Sequence, residues 1–328
     1  PYRRAEAAKA TSTKEQRVSH GNSRRAIVAA LAANAGIAVA KFVGFLITGA
    51  SSMLSESVHS LADTANQGLL LLGQKQAARR ASDLHQYGYG KERYFWSFVV
   101  ALVLFSLGSA FSLYEGWHKL HSDHHELESA GIGIAILLVA AVLEGLSFRT
   151  AVAEARHEKP ASDSWARYIR NTRVPELAVV LLEDFGALVG LVLALAGVSL
   201  SLITGDAVWD GVATVCIGVL LGVIALALCI EMRSMLLGEA ASDTERERIA
   251  AALQSTNGVE RLINFRTMHL SPDEVLLTAK IEVAPHLLAT QVADVVDAAE
   301  AAVRTAVPIA KLIYLEPAIF DPEREEIP

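Results

Sequence analysis

A histidine and an aspartate one helical turn apart are the residues of this sequence best placed to do chemistry. His59 and Asp63 lie in the stretch SMLSESVHSLADTANQGLLLLG, from Ser52 to Gly73, where the only other charge is Glu56. This stretch is long enough to cross a bilayer as a helix. Side chains at positions i and i+4 project from the same helix face. The pair therefore offers one nitrogen and up to two oxygens, a mixture that suits zinc and its first-row neighbours.

The predicted depth of this pair in a membrane indicates that it has a function. An ionised carboxylate at the middle of a bilayer costs at least about 2.5–3.5 kcal/mol on insertion scales, and such residues typically mark ion or proton pathways. The sequence therefore predicts a path for a divalent metal ion. His59 must be neutral to bind metal, and an unperturbed imidazole has a pKa of about 6.5, so we expect protons to compete with the metal.

Composition sets the class of protein. With 52% hydrophobic and 20% charged residues in 328, the chain is too apolar for an ordinary soluble protein and too charged to lie wholly in lipid. A net charge of −7, with no cluster of basic and aromatic residues, disfavours nucleic-acid binding. The motifs HExxH and GxSxG are missing from the sequence. We therefore expect neither an enzyme nor a prosthetic group.

Runs of about 20 apolar residues predict six transmembrane helices. Basic residues concentrate after the second run and between the fourth and fifth runs. By the positive-inside rule, both termini are then cytoplasmic and the chain is an integral, multi-pass membrane protein. The predicted spans are Ala26–Ile47, Met53–Gln74, Phe95–Trp117, Ala130–Thr150, Pro175–Gly197 and Ala207–Ile230.

The sequence also predicts how the chain divides into domains. Residues 1–22 form a polar tail that we expect to be disordered, residues 23–236 the six-helix membrane domain, and residues 237–328 a soluble domain with a short tail. The hydrophobic pattern of the soluble domain predicts the order α-β-β-α-β, typical of a small ferredoxin-like α+β sandwich. Its predicted elements are helix Thr244–Ser255, strands Phe265–Ser271 and Glu274–Val283, helix Ala289–Ala306 and strand Ala310–Glu316.

Several motifs in their positions resemble one family of transporters. HSLAD in the second span, LLED in the fifth and the αββαβ domain behind six spans resemble the cation diffusion facilitators. The strings SESVHSLADTANQGLL, YGYGKERYFW and VVLLEDFGALVG are similar to the zinc transporter 9 branch and its bacterial relatives. The resemblance covers Arg25 to Pro317 approximately. It implies a homodimeric antiporter that exports zinc from the cytoplasm in exchange for protons by alternating access, and we expect it in a bacterial inner membrane.

The resemblance also implies a tetrahedral transport site. His59 and Asp63 match the family's ligands in the second span, and Asp184 matches the carboxylate of the fifth span. Zinc-handling members have a histidine four residues before that carboxylate, whereas this sequence has Val180, which has no donor atom. The fourth position of the site is therefore open.

Three candidates remain for the fourth ligand. Glu183 is adjacent to Asp184, although neighbouring side chains on a helix point about 100° apart. Water and Asn34 of the first span are the alternatives. A set with one imidazole and several carboxylates is rich in oxygen. Manganese, iron or cobalt are therefore alternatives to zinc as the transported ion. A degenerate site also leaves open a metal sensor or scaffold that does not transport.

A second metal site is considered in the loop after the second span. Asp83 and His85 lie where some members of the family bind a further zinc, but Tyr89 stands where another histidine is expected. A surface loop without metal is the simpler interpretation.

Three charged residues in the predicted spans have no assigned partner. Glu144 in the fourth span is a candidate for a proton route. Lys41 in the first span is expected to pair with an internal carboxylate or to extend to the membrane surface. Glu56, one turn before His59, is expected near the membrane surface, and the alternative is that it reaches the same cavity as His59.

Overall fold

The computed structural model describes residues 35–121, 130–159, 164–172 and 174–320. Within them, a part built of helices precedes an α+β domain with a small sheet. The predicted tail of residues 1–22 and Asn34 lie outside the described residues.

The first part of the chain consists of helices joined by short connections. One of them, Glu92–His121, contains a π-helical segment, Leu104–Ala110, at its middle. The helices are α1 (Ala35–Thr48), α2 (Ser51–Ala77), α3 (Glu92–His121), α4 (Ala130–Glu158), α5 (Trp165–Asn171), α6 (Pro175–Thr204) and α7 (Val208–Leu237).

Four of these helices are long and apolar enough to cross a membrane: α3, Gly131–Arg156 within α4, α6 and α7. They correspond to the third to sixth predicted spans. Helix α1 is apolar but is described over only 14 residues. Helix α2 has sufficient length, 27 residues, but is the most polar of the predicted spans. The first two spans therefore remain predictions.

The start of α2 is held by a buried carboxylate from α7. Asp210 is fully buried and accepts hydrogen bonds from the backbone N–H of Ser51 (2.6 Å) and of Ser52 (3.3 Å), as well as from the Ser52 hydroxyl. Unpaired N–H groups at a helix N-terminus favour an acidic partner. Asp210 therefore anchors the helix that carries His59.

Helices α3 and α7 approach each other closely through glycines. A Cβ atom at Gly116 would lie 2.8 Å from the backbone nitrogen of Val215, and one at Gly218 would lie 2.8 Å from that of Leu113. Small residues of this kind allow helix backbones to pack tightly in membranes, where lipid tails are as apolar as leucine.

The α+β domain confirms the predicted order of elements. Strands β1 and β2 are antiparallel, β2 and β3 are parallel, and the sheet order is β1-β2-β3. Gly258 has φ = 92° at the turn before β1, a conformation that glycine adopts readily. The elements are α8 (Asp243–Gln254), β1 (Val259–Ser271), β2 (Glu274–Val283), α9 (Ala289–Ala306) and β3 (Ala310–Ala318).

Strand β1 begins six residues before the predicted Phe265. Register shifts at Val259/Arg261 and Leu262/Asn264 interrupt the alternation of side chains, and the early part of the strand therefore lacks a regular period of two. The core of the domain joins both helices to the sheet. It contains Ile249, Leu253, Leu277, Ala279, Ala299, Val303, Val307, Ala310 and Ile313.

Residue contacts divide the chain into two compact units. The described residues of the first fall within Pro1–Leu71, Val99–Asp163 and Leu177–Leu228. Those of the second fall within Leu72–Phe98, Ser164–Glu176 and Cys229–Pro328. All residues of the candidate site that follows belong to the first unit.

Candidate metal site

His59 and Asp63 lie side by side on α2, as the sequence predicts. The His59 Nδ1 and Asp63 Oδ1 atoms are 3.6 Å apart, and the His59 side chain is fully buried. Neither ring nitrogen of His59, nor Oδ1 of Asp63, has a hydrogen-bond partner among the described residues. Buried polar atoms are nearly always paired, so unpaired ones need an explanation. An imidazole and a carboxylate in this state are suited to receive a metal ion.

The neighbouring carboxylates of α6 have separate partners. Glu183 is buried and its Oε1 accepts a hydrogen bond of 2.6 Å from Nδ2 of Asn66, on α2. Asp184 accepts a hydrogen bond of 3.1 Å at Oδ2 from the Ser147 hydroxyl, on α4. The two carboxylates therefore face different helices, as the 100° step along a helix requires. Glu183 is the one turned towards α2.

Asn66 brings Glu183 close to the α2 pair. It follows Asp63 by three residues and so lies on the same face of α2. The carboxylates of Glu183, Glu144 and Asp184 all act electrostatically on Asp63, as does the ammonium of Lys41. Three carboxylates and one ammonium of the first unit therefore lie near Asp63.

His59, Asp63, Glu183 and Asp184, here called the ligand cluster, do not enclose a single point. Among residues that the structure describes, no three or more His, Cys, Asp or Glu side chains are close enough together to hold a metal ion. The side chains of the cluster must move for all four to bind one ion. Val180 is half-buried on α6 and supplies no donor.

The structure places the remaining candidates elsewhere. Asp83 and His85 are exposed in the loop after α2, within the second unit. The His85 ring contacts the Tyr89 ring, with centroids 4.5 Å apart. No metal-binding group of three such side chains occurs there among the described residues. Glu144 lies in the first unit, 3.8 Å from Lys41.

Two side chains at the site were not predicted from the sequence. Asn66 was missed, although its spacing of three from Asp63 is a signal that it shares the same helix face. Ser147 had no such signal, because its role depends on how α4 packs against α6. Glu56 is fully buried and lies 3.1 Å from Nζ of Lys41, so Lys41 pairs with an internal carboxylate, one of the two outcomes expected for it. The depth of Glu56 in a membrane stays a prediction. Side-chain pairing across helices is not visible in the spacing of either helix alone.

Comparisons with known proteins agree with this architecture. Residues 27–237 match the family model described as the cation efflux transmembrane domain. Residues 241–318 match that of the cation efflux protein, cytoplasmic domain.

Three relatives are similar over most of this chain. The proton-coupled zinc antiporter SLC30A9, mitochondrial, of Mus musculus is 31% identical over 244 residues, 74% of this chain and 43% of the relative. Metal tolerance protein C4 of Arabidopsis thaliana is 29% identical over 84% of this chain and 60% of the relative. The cation-efflux pump FieF of Serratia proteamaculans is 27% identical over 82% of this chain and 86% of the relative. The chain spans less than half the length of the first of these relatives.

Proposed function

This chain belongs to the cation efflux family, a family of transporters known as cation diffusion facilitators, and from this premise we propose that it exports zinc from the cytoplasm in exchange for protons. The observation that supports this proposal most is the ligand cluster. On one face of α2 it combines a buried imidazole with a carboxylate, and both ring nitrogens and one carboxylate oxygen lack hydrogen-bond partners among the described residues. The Glu183 carboxylate is turned towards them.

The proposed transport cycle follows from the state of these side chains. His59, Asp63 and Asp184 take the metal, and Glu183 completes the set after leaving Asn66. Because the cluster is not closed around one point, binding requires side chains of α2 and α6 to approach each other. Metal and protons compete for the same atoms, since each ligand binds metal only when deprotonated. That competition is the basis of the exchange.

Zinc is the proposed main substrate. The imidazole nitrogen favours zinc over magnesium and calcium, which prefer oxygen ligands alone. The name of one relative, a proton-coupled zinc antiporter, supports the same choice. Manganese, iron and cobalt are the alternatives, because Val180 leaves the set rich in oxygen.

The proposal extends to the architecture. We infer six transmembrane helices in residues 23–236, with both termini in the cytoplasm, and a ferredoxin-like domain in residues 237–328. Two copies would pair through these cytoplasmic domains, since twofold dimers are the commonest oligomers. A bacterial inner membrane is the proposed location, although the relative from Mus musculus is named as mitochondrial.

The function is tested by metal flux from proteoliposomes. Vesicles that contain the full chain are loaded with zinc, manganese, iron or cobalt, and a pH gradient is imposed while the voltage is clamped. We expect zinc movement to be fastest and to be driven by protons that move in the opposite direction. Movement that ignores the pH gradient would contradict antiport. Metal binding without movement would favour a sensor or scaffold, for which the open ligand cluster and Val180 are the supporting observations.

A further inference from the structure

A lysine is buried beside two glutamates in the first unit, and it also interacts electrostatically with Asp63 of the ligand cluster. The ammonium of Lys41 lies 3.1 Å from Oε2 of Glu56 and 3.8 Å from Oε1 of Glu144, and it donates a hydrogen bond of 2.7 Å to the Ser60 hydroxyl. Lys41 and Glu56 are fully buried, and the Glu144 side chain is 9% exposed. These four residues of α1, α2 and α4 are called the lysine network below.

Among the described residues, Glu56 and Glu144 are the carboxylates within ion-pair distance of Lys41, and Asp63 interacts with it at longer range. On its remaining side Lys41 borders a cavity of about 440 Å³ whose other lining residues, from α1 and α4, are all apolar. A buried ammonium is costly unless carboxylates compensate it. The lysine is therefore held in place by Glu56 and Glu144.

On the side of Glu56 that faces α6, a glycine leaves space for its carboxylate. A Cβ atom built at Gly190, on α6, would overlap Oε1 of Glu56. That oxygen is buried and has no hydrogen-bond partner among the described residues. The helix that carries Glu183 and Asp184 thus lacks a side chain where the carboxylate of Glu56 lies. Because Oε1 of Glu56 has no hydrogen-bond partner within the described part of the chain, this oxygen is available to bind a cation.

The three oxygens around Lys41 have the chemistry of a cation site. Two carboxylates and a hydroxyl match the three N–H donors of an ammonium. They are equally the oxygen ligands that hard cations such as Mg²⁺, Mn²⁺ or Na⁺ accept. One positive charge between two negative charges leaves a deficit, so the site would retain a cation strongly if the lysine were absent.

We propose that Glu56, Glu144 and Ser60 form a second cation site whose occupant is the ammonium of Lys41, and that this tethered occupant limits the membrane domain to a single bound metal. The statement that a single metal is transported rests on the proposed function. The existence of the second cation site does not depend on it. Lys41 would act on specificity without touching the transported ion.

The test is the number of cations that the full chain binds at equilibrium in nanodiscs. Wild type, Lys41→Met and Lys41→Met/Glu56→Gln are dialysed at about pH 8, where free carboxylates are ionised, against Mn²⁺ and Na⁺, and bound metal is measured by mass spectrometry. We expect Lys41→Met to bind one more equivalent of cation than wild type, and Glu56→Gln to remove that gain. Lys119→Met is the control, because Lys119 is partly exposed and its ammonium donates a hydrogen bond of 3.2 Å to the Gly49 carbonyl rather than to a carboxylate.

The outcomes separate this inference from the proposed function. An extra equivalent in Lys41→Met that persists with Asp63→Ala supports a second site independent of the ligand cluster, even if wild type transports nothing. A Lys41→Met protein with wild-type stoichiometry overturns the inference. If Lys41→Met does not fold, recovery of folding by added Mn²⁺ and by Glu56→Gln supports it, and failure of both to restore folding overturns it.

Discussion

The ligand cluster and the lysine network place similar residues in the same unit but differ in their partners. Within the lysine network, Lys41 of the same chain pairs with Glu56 and Glu144. In the ligand cluster, the ring nitrogens of His59 and Oδ1 of Asp63 have no hydrogen-bond partner among the described residues. Each group has buried ionisable side chains, Lys41 and Glu56 in the one and His59 and Glu183 in the other, so the cost of placing a charge in an apolar interior applies to both.

This difference concerns the source of the cation that compensates each group, which is either a side chain of the protein or an ion bound from solution. The lysine network has a counter-charge that is attached to the chain and always present, whereas the ligand cluster would rely on a bound ion or on protons. Lys41 therefore compensates part of the charge of Glu56 and Glu144 without metal. If the ligand cluster binds metal as proposed, its cation can leave, which suits that cluster to exchange. The following predictions test whether this separation holds.

The largest effect is expected from Asp63→Ala. Loss of this carboxylate removes a proposed metal ligand, and we expect zinc flux in proteoliposomes to fall by more than the roughly 10–100-fold that follows loss of an outer-shell partner. The protein should remain folded, because a costly buried carboxylate is removed. Asp83→Ala, in an exposed loop, is the control and should transport normally. If Asp63→Ala retains about half of the wild-type flux, the ligand cluster is not the transport site.

The next effect concerns the fourth ligand. If Glu183 binds the metal, Glu183→Gln should weaken zinc binding roughly tenfold, which corresponds to about 1.4 kcal/mol. In that background Val180→His should restore part of the affinity and favour zinc over manganese, since it adds a nitrogen donor one turn before Asp184. Val180→Leu adds no donor and serves as the control. A calorimetric titration measures both ions, and wild-type affinity in Glu183→Gln would leave water or Asn34 as the fourth ligand.

The sequence was sufficient for part of this site, and the reason can be seen in particular residues. His59 and Asp63 were predicted because both lie on one helix, where spacing determines which side chains share a face. The same argument gave the α+β elements, whose hydrophobic periods are local. Ser147 and the pairing of Glu56 with Lys41 depend on contacts between different helices, which spacing along one helix does not contain. Glu183 was predicted only in part. A carboxylate next to Asp184 was a candidate ligand from the sequence, but only the hydrogen bond from Asn66 shows that it faces α2.

A smaller effect is expected from Asn66→Ala. The hydrogen bond of 2.6 Å to Glu183 is lost, so that carboxylate is less well positioned, and we expect zinc affinity to fall by a factor of roughly 3–10. Asn66 is a positioning residue, so its effect should disappear in the Glu183→Gln background in a double-mutant cycle. Gln67→Ala, the neighbouring substitution, is the control. An equal effect of Asn66→Ala with and without Glu183 would show that Asn66 acts on overall stability alone.

The smallest effect on zinc binding is expected from Gly190→Ala, which tests the lysine network through its packing. The new methyl group overlaps Oε1 of Glu56, so we expect a loss of about 1–2 kcal/mol in the free energy of unfolding, as for other overpacked interiors. Gly68→Ala, on α2, is the matched control, because no atom lies within 4 Å of its added methyl. Thermal unfolding in detergent provides the measurement.

A second substitution shows whether the loss arises from Glu56. Glu56→Asp shortens the side chain by one methylene, which withdraws the carboxylate from α6 and should recover most of the stability lost in Gly190→Ala. Zinc affinity at the ligand cluster should stay close to that of wild type in Gly190→Ala, because Gly190 has no contact with that cluster in the described structure. If Gly190→Ala is as stable as Gly68→Ala, the carboxylate of Glu56 is not packed against α6. The lysine network would then lack the rigid carboxylate that keeps Lys41 in place, and the distinction between a tethered and an exchangeable cation would fail.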